Sequence, residues 1–198
     1  LARAIGCWPG GAAFRGLDGP AFEFSADDAH GQPSSIAAGK CYGAGMASEF
    51  DLKMMRRALE LAREAEEANE APIGALVADP ATGEIVAEAH NRPIGLSDPT
   101  GHAEILAMRA AALKLGNYRL TGLALYVTLE PCAMCAGAIS HARIGRLVYG
   151  AADEKGGAVA SGPKFFGQPT CHSRPEVEAG VLAEEATAML KAFFKARR

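Results

Sequence analysis

Leu123-Ala124-Leu125-Tyr126-Val127-Thr128-Leu129-Glu130-Pro131-Cys132-Ala133-Met134-Cys135 is the stretch on which the fold turns. Leu123–Thr128 is an apolar run of strand length, suited to a buried strand. Pro131-Cys132-Ala133-Met134-Cys135 opens a helix, Cys132–Ala142, directly after it. Beyond it, Arg146–Tyr149 reads as another strand. Upstream, His102–Leu115 reads as a helix, preceded by a polar loop from His90 to Thr100 with prolines at 93 and 99. Ile73–Ala78 and Glu84–Ala89 flank the turn Asp79-Pro80-Ala81-Thr82-Gly83, which predicts a hairpin. Ser48-Glu49-Phe50-Asp51 resembles a capping box, and Phe50, Met54, Ala58, Leu61, Ala62 and Ala65 recur at helical spacing up to about Asn69. Residues 151–175 are rich in Gly and Pro and irregular. Leu182–Arg198 is an amphipathic helix pattern with Leu182, Ala186, Met189, Leu190, Phe193 and Phe194 on one side. Strands alternating with helices predict a three-layer α/β domain with a hairpin at the start of the sheet.

The chain has 198 residues, 49% hydrophobic and 22% charged, which excludes wholesale disorder. A net charge of −3 excludes a generally polycationic nucleic-acid binder, though not a local basic patch. No run approaches the 18 or so unbroken apolar residues of a membrane span. Five cysteines, an odd number, without a secretion signal read as reduced thiols in an intracellular chain. Residues 1–45 carry nine of the 23 glycines and no helical or strand period. They read as an irregular, disordered N-terminal extension, with Met46 as the expected natural start and residues 46–198 as the working domain.

Two short motifs carry the chemistry. His102-Ala103-Glu104 opens one helix, and Pro131-Cys132-Ala133-Met134-Cys135 opens another. Two thiolates three apart at a helix start can grip one ion, and the helix dipole favours the thiolate form. One imidazole with two thiolates is the ligand count of a catalytic zinc site, one Zn2+ per chain, with its fourth position open. Cys171-His172 could supply a fourth ligand and make the site structural, but it lies in the irregular segment. Glu104, two residues from His102, can approach the metal without ligating it, placed to take a proton from metal-bound water. A redox role for the Cys-x-x-Cys pair remains an alternative, though the aromatic and Gly-Pro context of a thioredoxin-like site is missing.

His-x-Glu followed some 30 residues later by Pro-Cys-x-x-Cys is the signature of the zinc deaminases. Around it, Asn91-Arg92-Pro93-Ile94-Gly95, Asp98-Pro99-Thr100-Gly101-His102-Ala103-Glu104, Asn117-Tyr118-Arg119-Leu120 and the run from Leu125 to Gly150 resemble the bacterial tRNA-specific adenosine deaminases. That family belongs to the cytidine/deoxycytidylate deaminase superfamily, and the resemblance spans residues 46–198. It implies the cytidine-deaminase-like α/β/α fold, a five-stranded mixed sheet between helices, and a homodimer.

Carried over residue by residue, the resemblance makes His102, Cys132 and Cys135 the zinc ligands and Glu104 the catalytic proton shuttle. It makes Asn91, Pro72, Ile73, Ala103 and Asp153 contacts of the flipped nucleotide. It makes Phe194, Lys195, Arg197 and Arg198 contacts of the RNA. On the residues alone, Asn91 could cap a turn, Phe193 and Phe194 could both be core, and the terminal cations could serve the helix dipole. Residues 161–169 depart from the family text. Residues 46–140 carry 8 basic and 13 acidic side chains, residues 141–198 carry 9 and 6, so the C-terminal part is the expected phosphate-facing region. The implied activity is hydrolytic deamination of adenosine to inosine at the wobble position (34) of a tRNA anticodon loop by a zinc-activated water. It is expected in the cytoplasm, without membrane attachment. The alternatives are a small-molecule deaminase acting on guanine, cytosine or a free nucleoside, and a non-catalytic zinc-stabilised RNA-binding module that would have no need of Glu104.

Overall fold

The computed structural model describes residues 47–197. The predicted extension 1–45, the start at Met46 and the RNA contact Arg198 lie outside the described residues. Helix α1 (Glu49–Glu67) opens with the expected capping box, Ser48 and Asp51 each bonding the other's backbone N–H. Strands β1 (Gly74–Ala78) and β2 (Ile85–His90) form the predicted hairpin. One short helix, α2 (Pro93–Leu96), lies inside the stretch read as a loop. Then follow α3 (Ala103–Leu115), β3 (Ala124–Leu129), α4 (Ala133–Ala142), β4 (Arg146–Ala151), β5 (Glu176–Ala179) and α5 (Ala183–Lys195).

The strand order is β2-β1-β3-β4-β5. β1 is antiparallel to both its neighbours, whereas β3, β4 and β5 run parallel. The sheet is therefore mixed. The period of two sorts each strand's side chains to two cores. Ala75, Val77, Leu125, Val127, Leu147 and Tyr149 face the apolar sides of α3 and α4. Leu76, Ala78, Tyr126 and Val148 face Met54, Met55, Ala58 and Leu61 of α1. α5 joins α1 on that second face, through Ala186 against Leu59 and Ala151. Three layers result, as expected. Gly74 permits a close approach: a Cβ there would collide with the backbone of Ala58 and Ala62 in α1.

The segment 151–175 has little regular structure but is pinned in place. Phe166 in a short 3-10 turn, Phe165–Gly167, is buried against the α4 side. Arg174 donates to the carbonyls of Phe166 and Gln168 at 2.7 and 3.2 Å.

Candidate metal centre and active site

The strand directions bring three helix and loop starts to one end of the sheet. β3 leads into Glu130-Pro131-Cys132, where α4 begins with Cys132 as its N-cap and Cys135 in its first turn. His102 is the N-cap of α3. The His102 side chain makes no cap bond to its own helix, and the Cys132 side chain turns to His102 and Cys135 together. His102 Nδ1 stands 3.7 Å from Cys132 Sγ and 3.5 Å from Cys135 Sγ. Tetrahedral zinc with ordinary bond lengths holds a nitrogen and a sulfur about 3.6 Å apart. All three ligand atoms lie within 4.8 Å of one another, the one such group among the described residues. The soft donor set selects zinc over a hard cation. Cys171 stands apart. Its Sγ meets Ser140 Oγ at 3.3 Å and donates to the Ser173 carbonyl. Among the described residues the four-ligand structural alternative therefore finds no fourth ligand.

The charges suit such an ion. A hydrogen bond from the Cys135 thiol, helped by His102, pushes Cys132 down to about 4. The same bond, with burial, drives the Cys135 thiol upward, so the pair shares a proton that a metal would displace. The Cys132 thiolate raises His102. Glu104, buried on the first turn of α3, is pushed up by desolvation, against the pull of its own backbone N–H and of His102.

Asn91 is buried, and its Oδ1 accepts the Ala103 N–H at 3.0 Å. Its Nδ2 has no protein partner among the described residues. The turn-capping alternative gives way to a tie between the end of β2 and the start of α3. Ala103 enters that tie by its backbone, while its side chain is core. The Asn91 N–H donates to the Ile73 carbonyl at 2.9 Å, which sets Pro72-Ile73 beside it. Pro72 is buried and Ile73 half-buried. Asp153 is half-buried, and its Oδ1 accepts the N–H groups of Lys155 and Gly156.

At the end of α5 the two phenylalanines part company: Phe193 is 5% exposed and Phe194 50%. Only Phe193 joins the buried stripe, against the expectation that both share one side. Arg197 lies over the Phe193 ring, 3.6 Å from its centroid, and donates to Asn69 Oδ1 at 3.3 Å. The tip of α5 thus sits at the end of α1, three residues before Pro72. Lys195 is exposed.

Sequence reasoning passed over two buried acids. Glu70 Oε1 accepts the Gly95 N–H at 2.7 Å and so holds α2, while its Oε2 has no partner. Glu130, between β3 and Cys132, receives five hydrogen bonds from residues 153–161. A lone acid joining a buried strand to a metal ligand was the one available signal.

The profile of the cytidine and deoxycytidylate deaminase zinc-binding region matches residues 48–151. The chain belongs to that deaminase family. This deaminase is 54% identical over 151 residues to the tRNA-specific adenosine deaminase of Haemophilus influenzae, covering 76% of this chain and 87% of the relative. A solved structure from work on A-to-I editing by tRNA:A34 deaminases at the wobble position of transfer RNA is 52% identical. Its TM-score is 0.68, with 70% of this chain and 99% of that chain covered. A protein solved with 8-azaguanine is 26% identical, with a TM-score of 0.66 and coverage of 74% and 85%.

Proposed function

We propose that this deaminase converts adenosine at the wobble position of a tRNA anticodon to inosine, releasing ammonia. The observation that carries the deamination is Glu104, a buried carboxyl beside a three-ligand cluster that it does not complete, and the likeness to tRNA-specific adenosine deaminases supports the substrate. His102, Cys132 and Cys135 hold the ion. A zinc ion bound by these three side chains would supply the acidification of a water, and with it the nucleophile for C6 of adenine. Glu104 would take one proton from the water and pass it to N1 as the oxygen bonds to C6, then take the second from the new C6 hydroxyl and pass it to the amine, which leaves as ammonia. A buried carboxyl whose pKa is raised by desolvation is better suited to accept and return a proton than an exposed one. The free Nδ2 of Asn91 is the donor to the nucleotide, with Pro72 and Ile73 behind it. The free Oδ2 of Asp153 faces the same substrate as an acceptor. Splaying one base from a single-stranded loop costs less than from a duplex. Phe194, Lys195, Arg197 and Arg198 meet the RNA beyond that base.

No helix among the described residues is long and apolar enough to cross a membrane; a tRNA substrate would be met in the cytoplasm. A homodimer would bury the outer face of α3 and the turn after it, where Leu113 and Tyr118 are 84% and 62% exposed. Sedimentation of the full chain tests this, and a monomer at micromolar concentration refutes it. For the activity, the zinc-loaded full chain is incubated with unmodified tRNA bearing a wobble adenosine, then the RNA is sequenced. Inosine at that position and nowhere else is expected. Turnover of free guanine, cytosine or adenosine, with tRNA untouched, overturns the reading.

A further inference from the structure

Glu130 is 2% exposed and pairs with no cation among the described residues. Its Oε1 accepts three successive backbone N–H groups, from Val159, Ala160 and Ser161, at 3.1, 2.9 and 2.8 Å. Its Oε2 accepts the Asp153 N–H at 3.0 Å and the Ser161 hydroxyl at 2.8 Å. The converging N–H dipoles balance the charge, as in an anion nest, but the anion belongs to the protein. The loop is also tied to the metal-ligand helix next door. The Ala158 N–H donates to the Pro131 carbonyl at 2.9 Å, and Gly157 bridges Cys132. Only glycine fits at 157, because a Cβ there would lie 2.5 Å from the Glu130 carboxyl carbon.

We infer that Glu130 is a positioning residue: it locks the 153–161 loop to the start of α4 and so fixes where Asp153 meets the substrate. The inference rests on the tRNA deaminase reading above. An amide in place of the carboxylate separates its two ends. In Glu130→Gln the remaining oxygen can still face the three N–H groups of 159–161. The new NH2 then confronts the Asp153 N–H and the Ser161 hydroxyl. The hydroxyl can turn and accept, but the Asp153 N–H cannot. The substitution therefore releases Asp153 in particular, with the volume of the core unchanged.

The test is a double-mutant cycle on the zinc-loaded full chain with wobble-adenosine tRNA. Glu130→Gln should raise KM about tenfold with kcat within about threefold and one zinc per chain retained. Asp153→Ala should do the same. The double variant should be no worse than Asp153→Ala, because both remove one interaction. Should Glu130→Gln not fold, Ser161→Ala, which leaves the carboxylate in place, carries the same cycle with a KM rise of about twofold to threefold. Multiplying defects overturn the inference, as does a wild-type KM in the folded variant or loss of zinc in step with activity. Failure of the wild-type chain to form inosine refutes the functional reading instead, and is seen before any variant is made.

Discussion

Asp51 and Glu104 are both buried, one on each face of the sheet. On the α1 face, Asp51 takes hydrogen bonds from the Ser48 N–H and hydroxyl, from the Tyr126 hydroxyl at 2.8 Å, and from Arg146. Burial alone would raise its pKa, yet Arg146, Ser48 and Tyr126 together bring it to about 2. On the α3–α4 face, Glu104 has no arginine or lysine partner among the described residues, and burial prevails. Two carboxyls shielded from solvent are thus shifted in opposite directions, one held as a charge and the other pushed towards its protonated form. Partners as well as burial decide which. A saturated carboxylate stabilises, whereas an unsaturated one is available for chemistry.

Exchanging each acid for its amide is the sharpest way to break this contrast. Glu104→Gln should lower kcat by roughly 10²-fold to 10⁴-fold. Zinc content should not change, and the melting temperature should not fall, because a poorly solvated carboxyl has been replaced by a neutral group. Near-normal turnover at full zinc occupancy would remove Glu104 from the proton path. Asp51→Asn should do the reverse. It leaves Arg146 facing a neutral group, so stability should drop by about 3 kcal/mol in a urea titration, with kcat and zinc retained. A stability loss under about 0.5 kcal/mol would show the Asp51 cluster to be mere surface pairing.

Acid probes the same contrast without mutation. Asp51 has its pKa depressed on folding, from 3.8 to about 2. Its contribution is fully present above pH 3.8 and disappears as pH falls through about 2. That step is worth about 2 kcal/mol, and it should be missing from Asp51→Asn. Equal acid profiles for the two proteins would contradict the assignment. The smallest effect is expected away from both acids. Phe194→Ala should weaken tRNA binding by at least about 1 kcal/mol and leave the melting temperature alone, whereas Phe193→Ala should do the opposite. A fall in melting temperature for Phe194→Ala would return it to the core.

The grouping of His102, Cys132 and Cys135, with Glu104 near them, was legible in the sequence because residue type and short spacing declare it. The α1, α3 and α4 patterns and the hairpin were legible because apolar residues recur at the right period. The fifth strand was not. Glu176-Val177-Glu178-Ala179 is short, lies at the sheet edge and carries two acids, so nothing in its pattern announces it. It was anticipated only through family resemblance. α2 was hidden by the Pro and Gly around it. The Asp51–Arg146 pair joins residues 95 apart, beyond the reach of any local pattern. The Glu130 cluster was hidden for another reason: its donors are mostly backbone N–H groups, which every residue but proline possesses.

That last cluster gives the protein a coil with the kinetic character of a strand. Val159, Ala160 and Ser161 belong to no helix or strand, and such a segment ordinarily trades its amide protons with solvent quickly. Here all three are held on one buried oxygen, so their exchange requires the carboxylate to let go. Deuterium uptake across these residues should be as slow as in β4. It should quicken in Glu130→Ala while far-ultraviolet dichroism stays constant, since no regular element is lost.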